Sequence, residues 1–224
     1  MQKLALFDFD GTVIRGDSIL PFLRYCVDTK KASPMLIPKA IVDYIAFRLK
    51  ISGVTSAKEH TLQFLQGQSA GELDALAHAF WSKHLNRLLF PAAVKRMQAL
   101  RSLGYRVMLV SASASLYMHA LADFLPVDDV ICTECEMRDG IFTGRIGKNC
   151  SGEEKPKRIL ARLNELQIDM DAEGSVAFGN SSSDAPMLSM VDEAVWINPK
   201  ASLRRAHPGM NVQHWRVRTH SSNK

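Results

Sequence analysis

The sequence predicts an α/β fold, a Rossmann-like parallel-sheet core interrupted by an inserted, mostly helical segment. Three observations predict it. Apolar runs at Lys3 to Phe9, Arg106 to Val110 and Val176 to Phe178 each end in polar residues. Stretches of helical periodicity separate them, and strand–helix alternation of this kind builds a parallel sheet with helices on both faces. A chain of 224 residues with 46% hydrophobic content can also bury a sizeable core.

The first run leads into Asp8-Phe9-Asp10-Gly11-Thr12. If the strand continues through Phe9, alternation turns Asp8 and Asp10 to one side and Phe7 and Phe9 to the other. Two carboxylates in one small space resist double ionisation unless a cation joins them. The pair therefore asks for a divalent metal and offers a nucleophile and a proton-transfer group. A surface loop that happens to hold two aspartates is the plainer reading of Asp-x-Asp taken alone.

From Ile19 to Leu89 the chain reads as mostly helical, with apolar spacing at Leu20, Leu23, Tyr25 and Val27, at Ile41, Tyr44, Ile45 and Leu49, and at Leu73, Leu76, Phe80 and Trp81. Pro34 to Ile51 is unusually apolar, but it is shorter than the ~20 residues a membrane span needs and is broken by Lys39, Asp43 and Arg48. It reads either as a helix packed on its neighbours or as an interfacial helix beside a greasy substrate channel.

A helix over Ala92 to Leu103 then leads to the strand before Ser111-Ala112-Ser113, with helical periodicity beyond it at Leu116, Met118, Leu121 and Leu125. Ser111 is thus expected beside a helix N-terminus, where free N–H groups favour a phosphate oxygen. An N-cap worth about 1 kcal/mol is the alternative, and one serine can do both. Asp129 to Met137 reads as a strand that hairpins through Arg138-Asp139-Gly140 to Ile141-Phe142-Thr143, since Asp-Gly is a turn signal. Lys155 in Gly152-Glu153-Glu154-Lys155-Pro156 reads alone as a solvated charge. The third run enters Gly179-Asn180-Ser181-Ser182-Ser183-Asp184, and a last strand is expected at Glu193 to Ile197, closed by Asn198-Pro199.

Together, Asp-Phe-Asp-Gly-Thr, Val-Ser-Ala-Ser, Gly-Glu-Glu-Lys and Gly-Asn-Ser-Ser-Ser-Asp-Ala-Pro-Met-Leu resemble, in order, the four motifs of the haloacid dehalogenase superfamily. The resemblance covers roughly residues 3 to 200 and points to the phosphoserine phosphatase-like branch. It implies a core at residues 1–16 and 90–200, a helical cap at 17–89, and leaves a basic C-terminal tail at 201–224. The implied activity is Mg²⁺-dependent hydrolysis of a phosphomonoester through an aspartyl-phosphate. Asp8 would be the nucleophile, and Asp10 would protonate the leaving alkoxide and then activate water. Mg²⁺ would be held by the Asp8 carboxylate, the Asp10 carbonyl and Asn180, with Asp184 holding the lysine or a metal-bound water. Such a set of oxygen ligands suits magnesium. Ser111, Ala112 and Lys155 would bind the phosphoryl oxygens, with Gly11, Thr12 and Asp17 also facing the substrate. Phosphoryl transfer needs positioning and charge neutralisation above all, so the physical and family arguments agree.

The chain departs from the branch at two places. Asn180 replaces an aspartate, and an uncharged amide should bind magnesium more weakly or mark a phospho-ligand binding protein that has drifted from catalysis. Asp17 stands where phosphoserine phosphatases carry a glutamate that reads the substrate amino group, and no cap arginine for the serine carboxylate is evident. A small phosphorylated substrate is expected, with a phosphatidylglycerophosphate-like lipid phosphate or phosphoserine as alternatives. The neighbourhood Asn149 to Lys155 resembles that of relatives acting on such lipids.

Charge and cysteine usage bound the setting. After Glu193 there is no acidic residue, while Lys200, Arg204, Arg205, Arg216, Arg218 and Lys224 add six positive charges. Removing these from the net charge of +5 leaves −1 for residues 1–193. Such an end could attract phosphate substrates or make weak contact with an anionic membrane surface, although a solvated end is commoner. No nucleic-acid motif accompanies it. Cys26, Cys132, Cys135 and Cys150 are unevenly spaced and no signal peptide is evident, which suggests a reducing cytoplasm. Cys132 and Cys135 form a C-x-x-C without a second pair or a helix N-terminus, so the hairpin reading is preferred to redox or zinc chemistry.

Overall fold

The computed structural model describes residues 1–48 and 54–217, with side chains except at 43–48 and 54–56. The expectations at Asp43, Tyr44, Ile45, Arg48, Leu49, Ile51, Arg218 and Lys224 therefore lie outside the description.

β1 (Gln2–Phe7) lies at the centre of a six-stranded sheet among the described residues. Its apolar residues Leu4 to Phe7 are fully buried, as expected of a strand covered on both faces. α1 (Ile19–Asp28), α2 (Leu36–Arg48), α3 (Val54–Leu62) and α4 (Ala70–Leu88) follow. A reciprocal capping box between Ser69 and Glu72 starts α4. Pro91 opens α5 (Pro91–Ser102), where its missing N–H costs nothing.

β2 (Arg106–Ala114), α6 (Ser115–Met118) and β3 (Asp129–Thr133) come next. The single strand expected over Asp129 to Met137 is divided at Glu134: β3 joins the parallel sheet beside β2, and only β4 (Cys135–Arg138) forms the antiparallel hairpin, with β5 (Ile141–Ile146). Its turn places both Asp139 and Gly140 at positive φ, the conformation for which Asp-Gly is suited. α7 (Glu154–Glu165), β6 (Met170–Gly179), α8 (Ala185–Leu188), β7 (Glu193–Ile197), α9 (Ala201–Ala206) and β8 (Val212–Gln213) complete the order.

The sheet runs β3-β2-β1-β6-β7-β8, with every adjacent pair parallel. Alternate residues of β1 feed two apolar layers. Leu4 and Leu6 meet Ile159 and Leu163 of α7 and Leu188 of α8. Ala5 and Phe7 join a larger cluster with α5 that also takes in Phe22 of α1 and Phe80 and Trp81 of α4. The inserted helices thus share apolar packing with the sheet: Phe22 stacks on Tyr117 at 4.7 Å and Phe9 meets Trp81 edge-on at 5.5 Å.

Three further expectations need correction. β1 stops at Phe7, so a turn rather than strand alternation places Asp8 and Asp10: the N–H groups of Thr12, Val13 and Ile14 all donate to the Phe9 carbonyl. Ser111 lies within β2, not beside a helix N-terminus, because a register shift between Val110 and Ala114 lets pairing with β3 continue to Ala114. α6 is a single turn. Finally, the segment expected to be a solvated tail is only partly so: residues 201–211 are mostly exposed, but residues 212–217 are held against the sheet. β8 pairs with β7, Trp215 packs 5.8 Å from Phe178, and the Asn198 side chain donates to the Trp215 carbonyl and accepts from its N–H. The Trp215 indole is buried there while Arg204, Arg205 and Arg216 stay exposed, so the packing gives up no charge solvation.

Candidate active site

The ends of β1, β2 and β6, the start of α7 and the segment leading into α9 surround one cavity of about 890 Å³. This is the carboxyl edge of the sheet, where open α/β folds bind ligands. Asp8, Asp10, Gly11, Asp17, Ala112, Lys155, Asn180 and Asp184 all line it. Thr12 and Ser111 do not. Thr12 Oγ1 donates to Asp8 Oδ2 at 2.7 Å, and Ser111 Oγ accepts from the Ser113 N–H at 3.0 Å.

At its floor Lys155, 1% exposed, donates to Asp8 Oδ1 and to Asp184 Oδ1 at 2.7 Å each. A lysine this deep is retained as a cation only because two carboxylates face it. Burial alone would depress its pKa, but Asp8 and Asp184 hold it above the ordinary value. Asp184 is buried too, yet Lys155 and the hydrogen bonds from Ser181 keep it below the usual range. Its Oδ2 accepts from the N–H groups of Asn180 and Ser181 and from Ser181 Oγ, so it fixes the loop that carries Asn180. Asp8 differs: burial, then the charge of Asp184, pushes it up to about 6 against the pull of Lys155.

Asp10 is pushed up to about 7, first by burial and then by Asp17, with hydrogen bonds from Ser113 and Ser18 opposing. Ser18 N–H donates to Oδ1 at 2.7 Å and Ser113 Oγ to Oδ2 at 2.5 Å. Ser18 Oγ in turn meets Ser113 Oγ at 3.1 Å and the Tyr117 hydroxyl at 3.3 Å. One aspartate is therefore tied to a lysine and the other to a hydroxyl chain, which gives neighbouring groups different proton affinities at one cavity.

Gly11 sits at φ +83°, and a Cβ there would lie 1.9 Å from the Asn180 side-chain nitrogen. Only glycine suits both the turn and this close approach. Asp17 accepts from the Ile19 N–H and reaches the cavity rim. Asp8, Asp10 and Asn180 line the same cavity, and oxygen donors of this kind fit a hard divalent cation.

Sequence reading missed Lys58. It projects from α3 into the cavity and donates to the Ala112 carbonyl at 2.5 Å and to the Asn149 side chain. No motif marks it, because its place depends on how α3 lies over the sheet. Ser18, Tyr117, Lys200 and His207 at the site were missed as well. Ser113 could have been found, since it repeats the Asp8/Asp10 spacing on the neighbouring strand.

The model of the haloacid dehalogenase-like hydrolase family matches residues 5–189. The chain belongs to that family. Among its relatives, protein CicA of Caulobacter vibrioides is 31% identical, over 85% of this chain and 83% of the relative. A phosphoserine phosphatase of Polaromonas sp. is 28% identical, over 90% and 81% of the two chains. A solved structure of a protein of unknown function from Bordetella pertussis Tohama I superposes with a TM-score of 0.85 at 27% identity, over 95% and 98% of the chains. Family and relatives together make the chain an enzyme of the phosphatase type. Among the described residues no helix is long and apolar enough to cross a membrane.

Proposed function

We propose that the chain is a Mg²⁺-dependent phosphomonoesterase that works through an aspartyl-phosphate on Asp8. The observation that carries the reading is the buried Lys155 bridge between Asp8 and Asp184 at the floor of a cavity that Asp10 also lines. Asp8, as the anion, attacks phosphorus. Lys155 and the Thr12 hydroxyl hold its carboxylate in place, and Lys155 offsets charge on the phosphoryl oxygens as the bond to the leaving oxygen breaks. Asp10, held by Ser18 and Ser113 and pushed up to about 7, gives its proton to the departing alkoxide. The same carboxylate then takes a proton from the water that attacks the aspartyl-phosphate. That step releases phosphate and restores Asp8.

Asp8, the Asp10 carbonyl and Asn180 would hold Mg²⁺, and Asp184 would order the loop behind it. The ion would supply positive charge next to the phosphoryl oxygens. Ala112, which lines the cavity, would contribute its N–H to those oxygens. Ser111, fully buried behind that lining, accepts from the Ser113 N–H and would act by positioning Ser113 rather than by touching substrate.

In this reading residues 17–89 form a cap over a core that comprises 1–16 and 90–200, and Asp17 and Lys58 read the rest of the substrate. The substrate is a small phosphorylated molecule, and an anionic group beyond the phosphate would suit Lys58. Phosphoserine is one candidate, by its relatives' activity. Four free, buried cysteines accord with a reducing cytoplasm. A second reading, an amphipathic or lipid monoester, is supported by Met35, Ile41 and Val42, which stand exposed at and near α2.

Phosphate release is the test, from p-nitrophenyl phosphate, phosphoserine, lysophosphatidate and phosphatidylglycerophosphate, with Mg²⁺, with EDTA and with Asp8→Asn. Mg²⁺-dependent turnover that Asp8→Asn abolishes is expected, and the preferred compound decides between the two substrate readings. Phosphate binding without turnover of any compound would replace both with a phospho-ligand binding protein.

A further inference from the structure

A second group of metal-ligating side chains lies outside the catalytic cavity. His119, Cys132 and Glu134 bring one ligand atom each to within 4.8 Å of one another. His119 Nε2 is 3.5 Å from Glu134 Oε1, and Cys132 Sγ is 3.9 Å from the same oxygen. A tetrahedral Zn²⁺ with bonds of ~2.0 to ~2.3 Å holds its ligand atoms roughly 3.3 to 3.6 Å apart, so the trio stands close to chelating distance. These groups border a separate cavity of about 550 Å³ that shares no lining residue with the catalytic one.

The backbone around Glu134 is tied down on both sides. Glu134 breaks the run between β3 and β4, and its carbonyl accepts from the Gly147 N–H at 2.8 Å. On either side of it the Thr133 hydroxyl donates to the Ala112 carbonyl and the Cys135 N–H donates to Ser115 Oγ. Cys135 takes no part, since its sulfur lies toward the Thr133 carbonyl. Cys132 is fully buried whereas His119 and Glu134 are exposed, so the trio has a closed sulfur end and an open face.

We infer that His119, Cys132 and Glu134 form a binding site for a Zn²⁺-class transition-metal ion, with solvent at the fourth position. Imidazole, thiolate and carboxylate form a borderline-soft set, which selects zinc-like ions over magnesium. On binding, the Cys132 S–H proton leaves to solvent and a sulfur–metal bond replaces it. One thiolate and one carboxylate then balance the dication, so the nearby Arg158, already donating to the Cys132 and Lys148 carbonyls, is no obstacle.

Titration of the full chain with Co²⁺, followed by visible and near-ultraviolet absorption, tests this. Expected are tetrahedral d–d bands and a thiolate-to-metal charge-transfer band that saturate at one equivalent and are displaced by Zn²⁺. Co²⁺ held by the oxygen ligands of the catalytic cavity gives no thiolate band. Cys132→Ser should abolish the band, and Cys135→Ser should keep it. His119 is on the surface, so His119→Ala leaves the core intact; loss of a direct ligand should weaken uptake by at least the roughly tenfold that outer-shell changes cause. Absence of the charge-transfer band, or its persistence in Cys132→Ser, overturns the inference.

Discussion

At Asp10 burial and hydrogen bonding oppose one another, and burial wins. Because its folded pKa of about 7 lies above the unfolded value, the stability it contributes is complete below pH ~4 and is lost as pH rises through about 7. Asp10→Asn should therefore abolish turnover yet raise the unfolding free energy at pH 8 by ~2–4 kcal/mol without divalent ions, and by much less at pH 4, as denaturant titrations at the two pH values would read. Asp8 has the same sign with its limb near 6. The proposed mechanism requires Asp8 deprotonated and Asp10 protonated. A plot of kcat/KM against pH should then be a bell, falling below about 6 and above about 7, with saturating Mg²⁺ moving the acid limb lower. Asp8, Asp10, Asn180 and Asp184 were legible in the sequence as candidate site residues because they follow strand ends in short motifs, whereas Lys155, at the start of α7, reads alone as a solvated charge and is singled out only by the family resemblance. The hydroxyl chain behind Asp10 was not legible, since Ser18 and Tyr117 reach it from separate elements.

Among the elements, the loop between β1 and α1 is the most constrained. Gly11→Ala sets a Cβ at φ +83° and against Asn180, costing about 1–2 kcal/mol for the backbone alone and displacing the amide. Thermal unfolding and turnover should both suffer, with turnover suffering more. The last strand is constrained by packing instead. Trp215→Ala should destabilise the chain by about 3 kcal/mol, read in urea, because the indole covers Phe178 at the sheet's centre. Periodicity revealed α5 and β7 almost to the residue, and Asp-Gly revealed the β4–β5 turn but not the break at Glu134 that sends β3 to the other sheet. These signals did not reveal β8, a two-residue strand amid basic residues, or the extension of β2 through Ser111, since small polar residues carry no strand signal.

For the molecule as a whole, the inserted helices do two things at once: α1 and α4 complete the apolar cluster over the sheet, while α3 sends Lys58 over the catalytic cavity. Lys58→Ala should leave stability nearly unchanged and raise KM for a substrate with a second anionic group by roughly tenfold, about 1.4 kcal/mol. For p-nitrophenyl phosphate the change should be small, as steady-state kinetics on both compounds would show. The alternation of strands and helices carried the core layout in the sequence, but the approach of helix to sheet arises from side chains far apart in the chain, such as Phe22, Phe80 and Tyr117. In the proposed mechanism Asp8 takes the phosphoryl group. The most direct measurement is acid quench of the enzyme during turnover of whichever phosphomonoester it hydrolyses, borohydride reduction, and peptide mass spectrometry of residues 1–15. An aspartyl-phosphate is reduced to homoserine, so homoserine at position 8, and not at position 10, is the expected result. Undiminished turnover with aspartate intact at position 8 in every quenched sample would contradict it.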